Sequence, residues 1–266
     1  MSPIISRAGF SFGFGKRRSV VFVSTSDNQT TYSSILVNPL SGSAPSYTTN
    51  SDPNASSLVL ALPYVSSGRD SGFGDYSGDI RVTSNRTVSV TDSTSLNTTN
   101  SKFYGSCFDT SCKMSVNMST YASLTGEFCW EYWVRIVSFG TYGFFLGKAS
   151  VDNGKGQGTK FFNNPTNASM QFANNDADFS TEVLTATGLS QSTNTWYHHA
   201  WTRDSNNVVR FFLNGVPSGS GTYSGTIAAS TSFLINTVDY AYTGQLQDMR
   251  VYVGTKKYSN SGFSVP

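Results

Sequence analysis

Trp196-Tyr-His-His-Ala-Trp-Thr-Arg203, Asp204-Ser-Asn-Asn207, Val208-Val-Arg-Phe-Phe-Leu213 and Asn214-Gly215 follow one another without a break, and this stretch decides the fold. Aromatic and β-branched residues fill the two flanks and the residues between them are turn formers, so it reads as an antiparallel hairpin. Successive side chains on a strand point to opposite faces. Val209, Phe211 and Leu213 therefore share the core face, while Arg210, Phe212 and Asn214 look the other way.

Downstream, Gln245, Gln247, Met249, Val251 and Val253 alternate with Leu246, Asp248, Arg250 and Tyr252. This predicts a closing strand with Met249, Val251 and Val253 as a second inward stripe, before Gly254 turns the chain. Upstream, strand-length segments at 57–62 (stopped by Pro63), 80–82, 87–90, 112–118, 128–137, 143–147, 168–172 and 181–186 are separated by turn signals, with a polar, Gly-rich loop at 152–159. No stretch keeps a 3.6-residue period for three turns of helix. The expectation is an all-β sandwich or barrel.

Composition agrees. Charged residues make up 13% of the 266, against an ordinary ~25%, while aromatics reach 14%, so the chain can bury a core behind a neutral, Ser/Thr/Asn-rich surface. The formal charge of +2 is unevenly placed. Arg7, Lys16, Arg17 and Arg18 stand in a stretch without an acid, which leaves 14 of the 18 basic residues against all 16 acids in the remainder. Nucleic-acid binding by the main domain is not expected, because it needs Lys and Arg gathered on one face. No apolar run is long enough for membrane insertion, and the N-terminus lacks the apolar stretch of a secretory signal.

Residues 1–56 read as an arm or linker for attachment or assembly, and 57–266 as the folded domain. Phe10, Phe12 and Phe14 alternate with small residues ahead of Lys16–Arg18, and with Arg7 they form the expected assembly arm. Residues 24–57 are rich in Ser, Thr, Asn and Pro, and such a segment must lean on the sandwich or on another subunit. Cys107, Cys112 and Cys129 match no zinc spacing and read as small buried thiols, with a short Cys107–Cys112 bridge as the alternative in an oxidising compartment.

The order Trp196-x-His198-x-Ala200, Thr202-Arg203, a strand ending in Asn214-Gly215, then Tyr242-x-Gly244 ahead of Asp248-x-Arg250-x-Tyr252 resembles laminin-G-like, concanavalin A-like lectin/glucanase domains. Lys102-Phe-Tyr-Gly-Ser106 with Phe108-Asp109, and Phe128-Cys-Trp-Glu-Tyr-Trp-Val134, are similar to that family's strands, although Thr110 stands where Gly is usual. The resemblance covers about residues 58–266 and implies a concanavalin A-like jelly-roll β-sandwich with an extended N-terminal arm. Val251-Tyr-Val-Gly-Thr-Lys-Lys-Tyr258, with Phe263 and Pro266, resembles the end of such domains in virion proteins of tailed phages, marine phages and cyanophages among them. That implies a non-enzymatic phage structural protein, a capsid decoration or tail-associated subunit assembled in the host cytoplasm. Its expected partners are other virion proteins, copies of itself and a host-surface glycan. A carbohydrate-binding adhesin or lectin is the alternative, and a glycoside hydrolase the third reading.

The residues that resemble chemistry do not converge. Concanavalin-like glucanases use paired glutamates on one strand, but Glu127 and Glu131 as an extended i,i+4 pair stand about 13 Å apart, against ~5–5.5 Å for retaining and ~6.5–9.5 Å for inverting hydrolysis. His198 and His199 are strand neighbours on opposite faces and cannot share a metal or a proton. His198 matches a family position whose role is structural hydrogen bonding. Asp70, Asp75 and Asp79, in a Gly-rich loop, could offer oxygen ligands to calcium or equally cap turns. Asp152-Asn153 and the acids of 174–178 share that ambiguity. Tyr223-Ser224 and the stretch 239–242 could form part of a sugar platform. No catalytic residue, metal ligand or cofactor is expected.

Overall fold

The computed structural model describes residues 52–64, 74–75, 77, 88–90, 96–103, 105–109, 114–116, 123–124, 126–138, 145–149, 156–160, 184, 186–225, 227–228, 233–235 and 243–265. The arm residues Arg7, Phe10, Phe12, Phe14, Lys16, Arg17 and Arg18 lie outside these. So do Cys112, Asp70, Asp79, the acids at 152–153 and 174–178, the stretch 239–242, and the predicted strands 80–82 and 168–172.

After one turn of 3-10 helix, Ala55–Ser57, the strands in chain order are β1 (Leu58–Leu62), β2 (Val88–Val90), β3 (Phe108–Asp109), β4 (Met114–Val116), β5 (Ser123–Leu124), β6 (Phe128–Ser138) and β7 (Phe145–Ala149). There follow β8 (Gly156–Lys160), β9 (Trp196–Arg203), β10 (Val208–Leu213), β11 (Val216–Thr222), β12 (Ile227–Ala228), β13 (Phe233–Ile235) and β14 (Thr243–Val253). The larger sheet runs β1-β14-β6-β9-β10-β11 with β3 on β14; a second runs β2-β4-β13-β7-β8, and β5 pairs β12. All pairings in these sheets are antiparallel.

The β9–β10 hairpin forms as the sequence predicts, with Leu213 opposite His199 and Val209 opposite Arg203. Asp204 builds its turn: Oδ1 accepts from the amides of Asn206 (2.9 Å) and Val208 (3.0 Å), while Asn207 takes φ 61°. Trp130, Tyr132 and Val134 of β6 join Trp201, Val209 and Phe211 in the main core, which reaches Met114 and Val116 of the second sheet. β6 is nevertheless buried on both faces from Phe128 to Val134. Its other face belongs to a second cluster of Leu58, Ala61, Cys129, Ala200, Phe212, Tyr252 and Tyr258, with Phe263 packed against it. The chain after Gly254 folds back to cover that outer face.

Several expectations are corrected. In β14 the pairing with β6 shifts between Gln247 and Arg250, where Asp248 takes φ 51°. This bulge inverts the alternation, because one inserted residue exchanges faces. Leu246 therefore faces the core with Met249 and Val251, and Gln245 and Gln247 do not share their side. The Gly-rich 156–160, expected as loop, pairs with β7 as a strand. Leu184 and Ala186, expected in a strand, are outside the strands and cover Gly219 of β11 from the core side. Cys107 and Cys129 are buried free thiols, so Cys107 carries no bridge. No helix among the described residues is long and apolar enough to cross a membrane.

Candidate functional site

The outer face of the larger sheet gathers the ionisable residues. Cys129, Glu131, Trp133 and Arg135 alternate outward along β6, and antiparallel pairing sets Glu131 beside Ala200 of β9 and Arg250 of β14. Gly254, at φ 85°, donates its amide to Glu127 O (2.8 Å) and reverses the chain. Lys257 then takes φ 59°, which swings Lys257 and Tyr258 back over β6. Lys257 Nζ donates to Glu131 Oε1 (2.6 Å) and the Tyr258 hydroxyl donates to Glu131 Oε2. Tyr258 stacks on Phe263, ring centroids 3.5 Å apart, and Phe263 N–H reaches Gly215 O at 3.0 Å.

Asp52, just before β1, completes the cluster. Its Oδ2 accepts from the Tyr252 hydroxyl (2.7 Å), which in turn accepts from Lys257 Nζ (3.0 Å). Burial pushes the Glu131 carboxyl up, but the Lys257 ammonium, His198 and Arg250 outweigh it and hold it down at about 2. Burial lowers His198 to about 4, only partly offset by Glu131. Glu131 is thus ionised and His198 neutral at neutral pH. Arg250 is spanned by both oxygens of Asp248 (3.0 and 2.9 Å).

A second polar group covers the other end of this face. Gln247 Oε1 accepts from the amides of Lys102 (2.8 Å) and Phe103 (3.1 Å), and its Nε2 donates to Ser106 O (2.6 Å). Trp196 Nε1 donates to Asn100 O (3.1 Å), so residues 100–103 are fastened across the sheet. Lys102 Nζ lies 3.9 Å from the buried Trp133 ring, and Phe103, 42% exposed, meets Trp133 edge-on. Phe103 and Lys102 form an aromatic and cationic rim.

Of the residues singled out from sequence, His198 and His199 part to opposite faces as their spacing predicts. Glu131 has both oxygens engaged and no exposure, whereas Glu127 stands at the start of β6, half-buried. His198 faces outward between Trp133 and Phe263, and His199 inward against Tyr132 and Phe211. The hydrogen-bonding role expected of His198 falls instead to packing, because Nε2 is 3.7 Å from Glu131 Oε2. Asp75 is a structural cap. Oδ1 accepts from Ala61 N (2.9 Å) and Ser77 N (2.9 Å), Oδ2 accepts from Ser77 Oγ (2.8 Å), and Ser77 Oγ also reaches Val59 O, all along β1. Tyr223, offered as a sugar platform, is core, with Arg203 5.8 Å over its ring. Among the described residues no three His, Cys, Asp or Glu are grouped to hold a metal ion. Sequence reasoning missed Asp52, Lys257 and Phe103, and placed Asp52 in the arm.

A family model described as the concanavalin A-like lectin/glucanases superfamily matches residues 109–256, more than half of the chain. The chain belongs to this superfamily. Lys257, Tyr258 and Phe263, which close over Glu131, stand just beyond the matched stretch of this concanavalin A-like protein. No curated protein matches it. Among solved structures it is similar to the botulinum neurotoxin serotype D ligand binding domain in complex with N-acetylneuraminic acid, at 17% identity and TM-score 0.53, over 77% of this chain and 49% of that one. It is similar also to the serotype C1 binding domain, at 16% identity and TM-score 0.52, over 75% and 49%. A third is a type C neurotoxin whose cell entry depends on two ganglioside molecules, at 16% and 0.52, over 77% and 50%. The chain spans about half the length of these structures, and identities this low establish the shared fold alone.

Proposed function

We propose that this chain is a non-enzymatic display module of a phage virion, on capsid or tail, whose sandwich presents a surface and whose first 56 residues attach it to neighbouring subunits. The state of Glu131 carries the non-enzymatic part. A general acid or nucleophile needs a free oxygen facing substrate, and both oxygens of Glu131 are engaged under the closing tail. The virion assignment rests on the resemblance of residues 251–266 to the ends of phage jelly-roll domains. Particle incorporation of the full chain, compared with a chain lacking residues 1–51, tests the attachment role. Equal incorporation would remove it. Polysaccharide cleavage by the wild type that disappears in Glu131→Gln would overturn the non-enzymatic reading.

A glycan-binding role is the second reading, and the exposed Phe103 beside Lys102 favours it. An aromatic face with an adjacent cation suits an acidic sugar. The similar toxin domains, seen with N-acetylneuraminic acid or dependent on gangliosides, point to the same ligand class. On a glycan array, binding to sialylated glycans that falls at least ~10-fold in Phe103→Ala supports this reading. An array without signal rejects it.

A further inference from the structure

We propose that Lys257 and Asp52 are joined by an intramolecular isopeptide bond that the fold itself forms. Lys257 Nζ lies 4.0 Å from Asp52 Oδ2, an oxygen of the carboxyl group whose carbon it would attack, and both side chains are no more than 5% exposed. The groups needed for condensation surround the pair. Glu131 Oε1, at 2.6 Å, is positioned to take a proton from Nζ. The amide of Asn54 donates to Asp52 Oδ1 at 2.9 Å, where negative charge gathers when the carboxyl carbon is attacked. The Tyr252 hydroxyl bridges Nζ (3.0 Å) and Oδ2 (2.7 Å). Burial, Asp52 and Glu131 hold its proton firmly, so it serves as a relay and is not itself ionised.

The step balances. Nζ passes one proton to Glu131 and attacks Cγ of Asp52; the C–N bond forms and the Cγ–Oδ2 bond breaks. The second proton travels from Nζ through the Tyr252 hydroxyl to Oδ2, Glu131 gives up the first to the same oxygen, and Oδ2 leaves as water. An ammonium and a carboxylate become an amide and water, with no oxidant, reductant or co-reactant. The bond would fasten the chain entering β1 to the tail leaving β14, across the face that the tail covers.

The intact mass of the full, denatured chain decides the matter. The expected mass is short of the sequence mass by one water, and digestion yields a branched peptide containing residues 52 and 257 that trypsin does not cut after Lys257. Asp52→Ala and Lys257→Arg should restore the full mass of their sequences. Glu131→Gln should form the bond roughly 100-fold more slowly. A wild-type chain at full mass overturns the proposal whatever the variants do. So does a water-deficient chain in which residues 52 and 257 fall in separate peptides.

Discussion

Replacing Gly215 by Ala puts a methyl group where the closing tail already lies. Gly215 has φ 77° between β10 and β11, and a Cβ there would stand 1.9 Å from Phe263 O and 3.0 Å from Phe263 C. The obstacle is backbone, so no rotamer change relieves it. Phe263 must withdraw, which breaks the hydrogen bond its N–H donates to Gly215 O and unstacks its ring from Tyr258. Loss of a half-buried phenyl costs about 1–2 kcal/mol and of the hydrogen bond about 1. Left-handed backbone strain adds about 1–2 kcal/mol, so urea unfolding should show a deficit of roughly 3–5. Gly254→Ala is the control. Its φ is 85° and nothing lies within 4 Å of its Cβ, so it carries only the strain of about 1–2 kcal/mol. Hydrogen exchange should also accelerate at the Phe263 amide in Gly215→Ala and not in Gly254→Ala. Equal losses in the two variants, with Phe263 protection unchanged, would refute the seating of the tail on this turn.

Acid should unfold the protein through two adjoining windows. His198 is lowered from 6.5 to about 4, so the folded state favours its neutral form and stability falls as pH drops from 6.5 to 4. Where Lys257 remains an ammonium, Glu131 is lowered from 4.5 to about 2, so its contribution is complete above 4.5 and is lost as pH falls towards 2; a bonded chain should lose part of this window. Urea midpoints measured against pH should show both slopes, and His198→Gln should flatten the upper one and also shrink the lower, because His198 helps hold Glu131 down. Asp75→Ala leaves Ala61 N–H at the edge of β1 without its acceptor, with an expected cost of about 1–3 kcal/mol and faster exchange at that amide. Gln247→Leu removes the acceptor of the Lys102 and Phe103 amides; a similar loss is expected, together with a change in tryptophan emission as the loop over Trp133 loosens.

What the sequence made legible follows from where side chains meet. The β9–β10 hairpin could be read because both strands alternate without interruption and Asp204 turns the chain with its own carboxylate. β14 alternates in sequence as well but carries a bulge, and nothing in Leu246-Gln-Asp-Met249 fixes that Asp248 takes a left-handed conformation there. β8 (Gly-Gln-Gly-Thr-Lys) and β11 (Val-Pro-Ser-Gly-Ser-Gly-Thr) are interrupted by Gly and Pro, which are depleted in strands, so their pairing owes more to neighbouring strands than to propensity. The outer-face cluster was hidden by distance along the chain. Lys257 meets Glu131 across 126 positions and Tyr252 meets Asp52 across 200, whereas Lys256-Lys257-Tyr258 alone reads as a solvated turn.

The double burial of the larger sheet also narrows where function can reside. A sandwich sheet with one open face could offer a broad platform, and the sequence of β6, with Glu131 and Trp133 on that side, suits one. Here Lys257, Tyr258 and Phe263 fill that side at one end and residues 100–103 at the other, so Trp133 retains only 4% of its surface and Glu131 none. The tail makes these contacts with polar atoms as well as rings, because ionised Glu131 could not be covered by hydrocarbon alone. Covering a carboxylate in this way requires a cation, and bringing Lys257 to it also brings the ammonium to Asp52. The arrangement that removes Glu131 from hydrolytic chemistry is therefore the same one that places an amine beside a carboxylate out of reach of water. Among the described residues, the large apolar side chains left exposed are Phe103, at the rim beside Lys102, and Val216 at the start of β11.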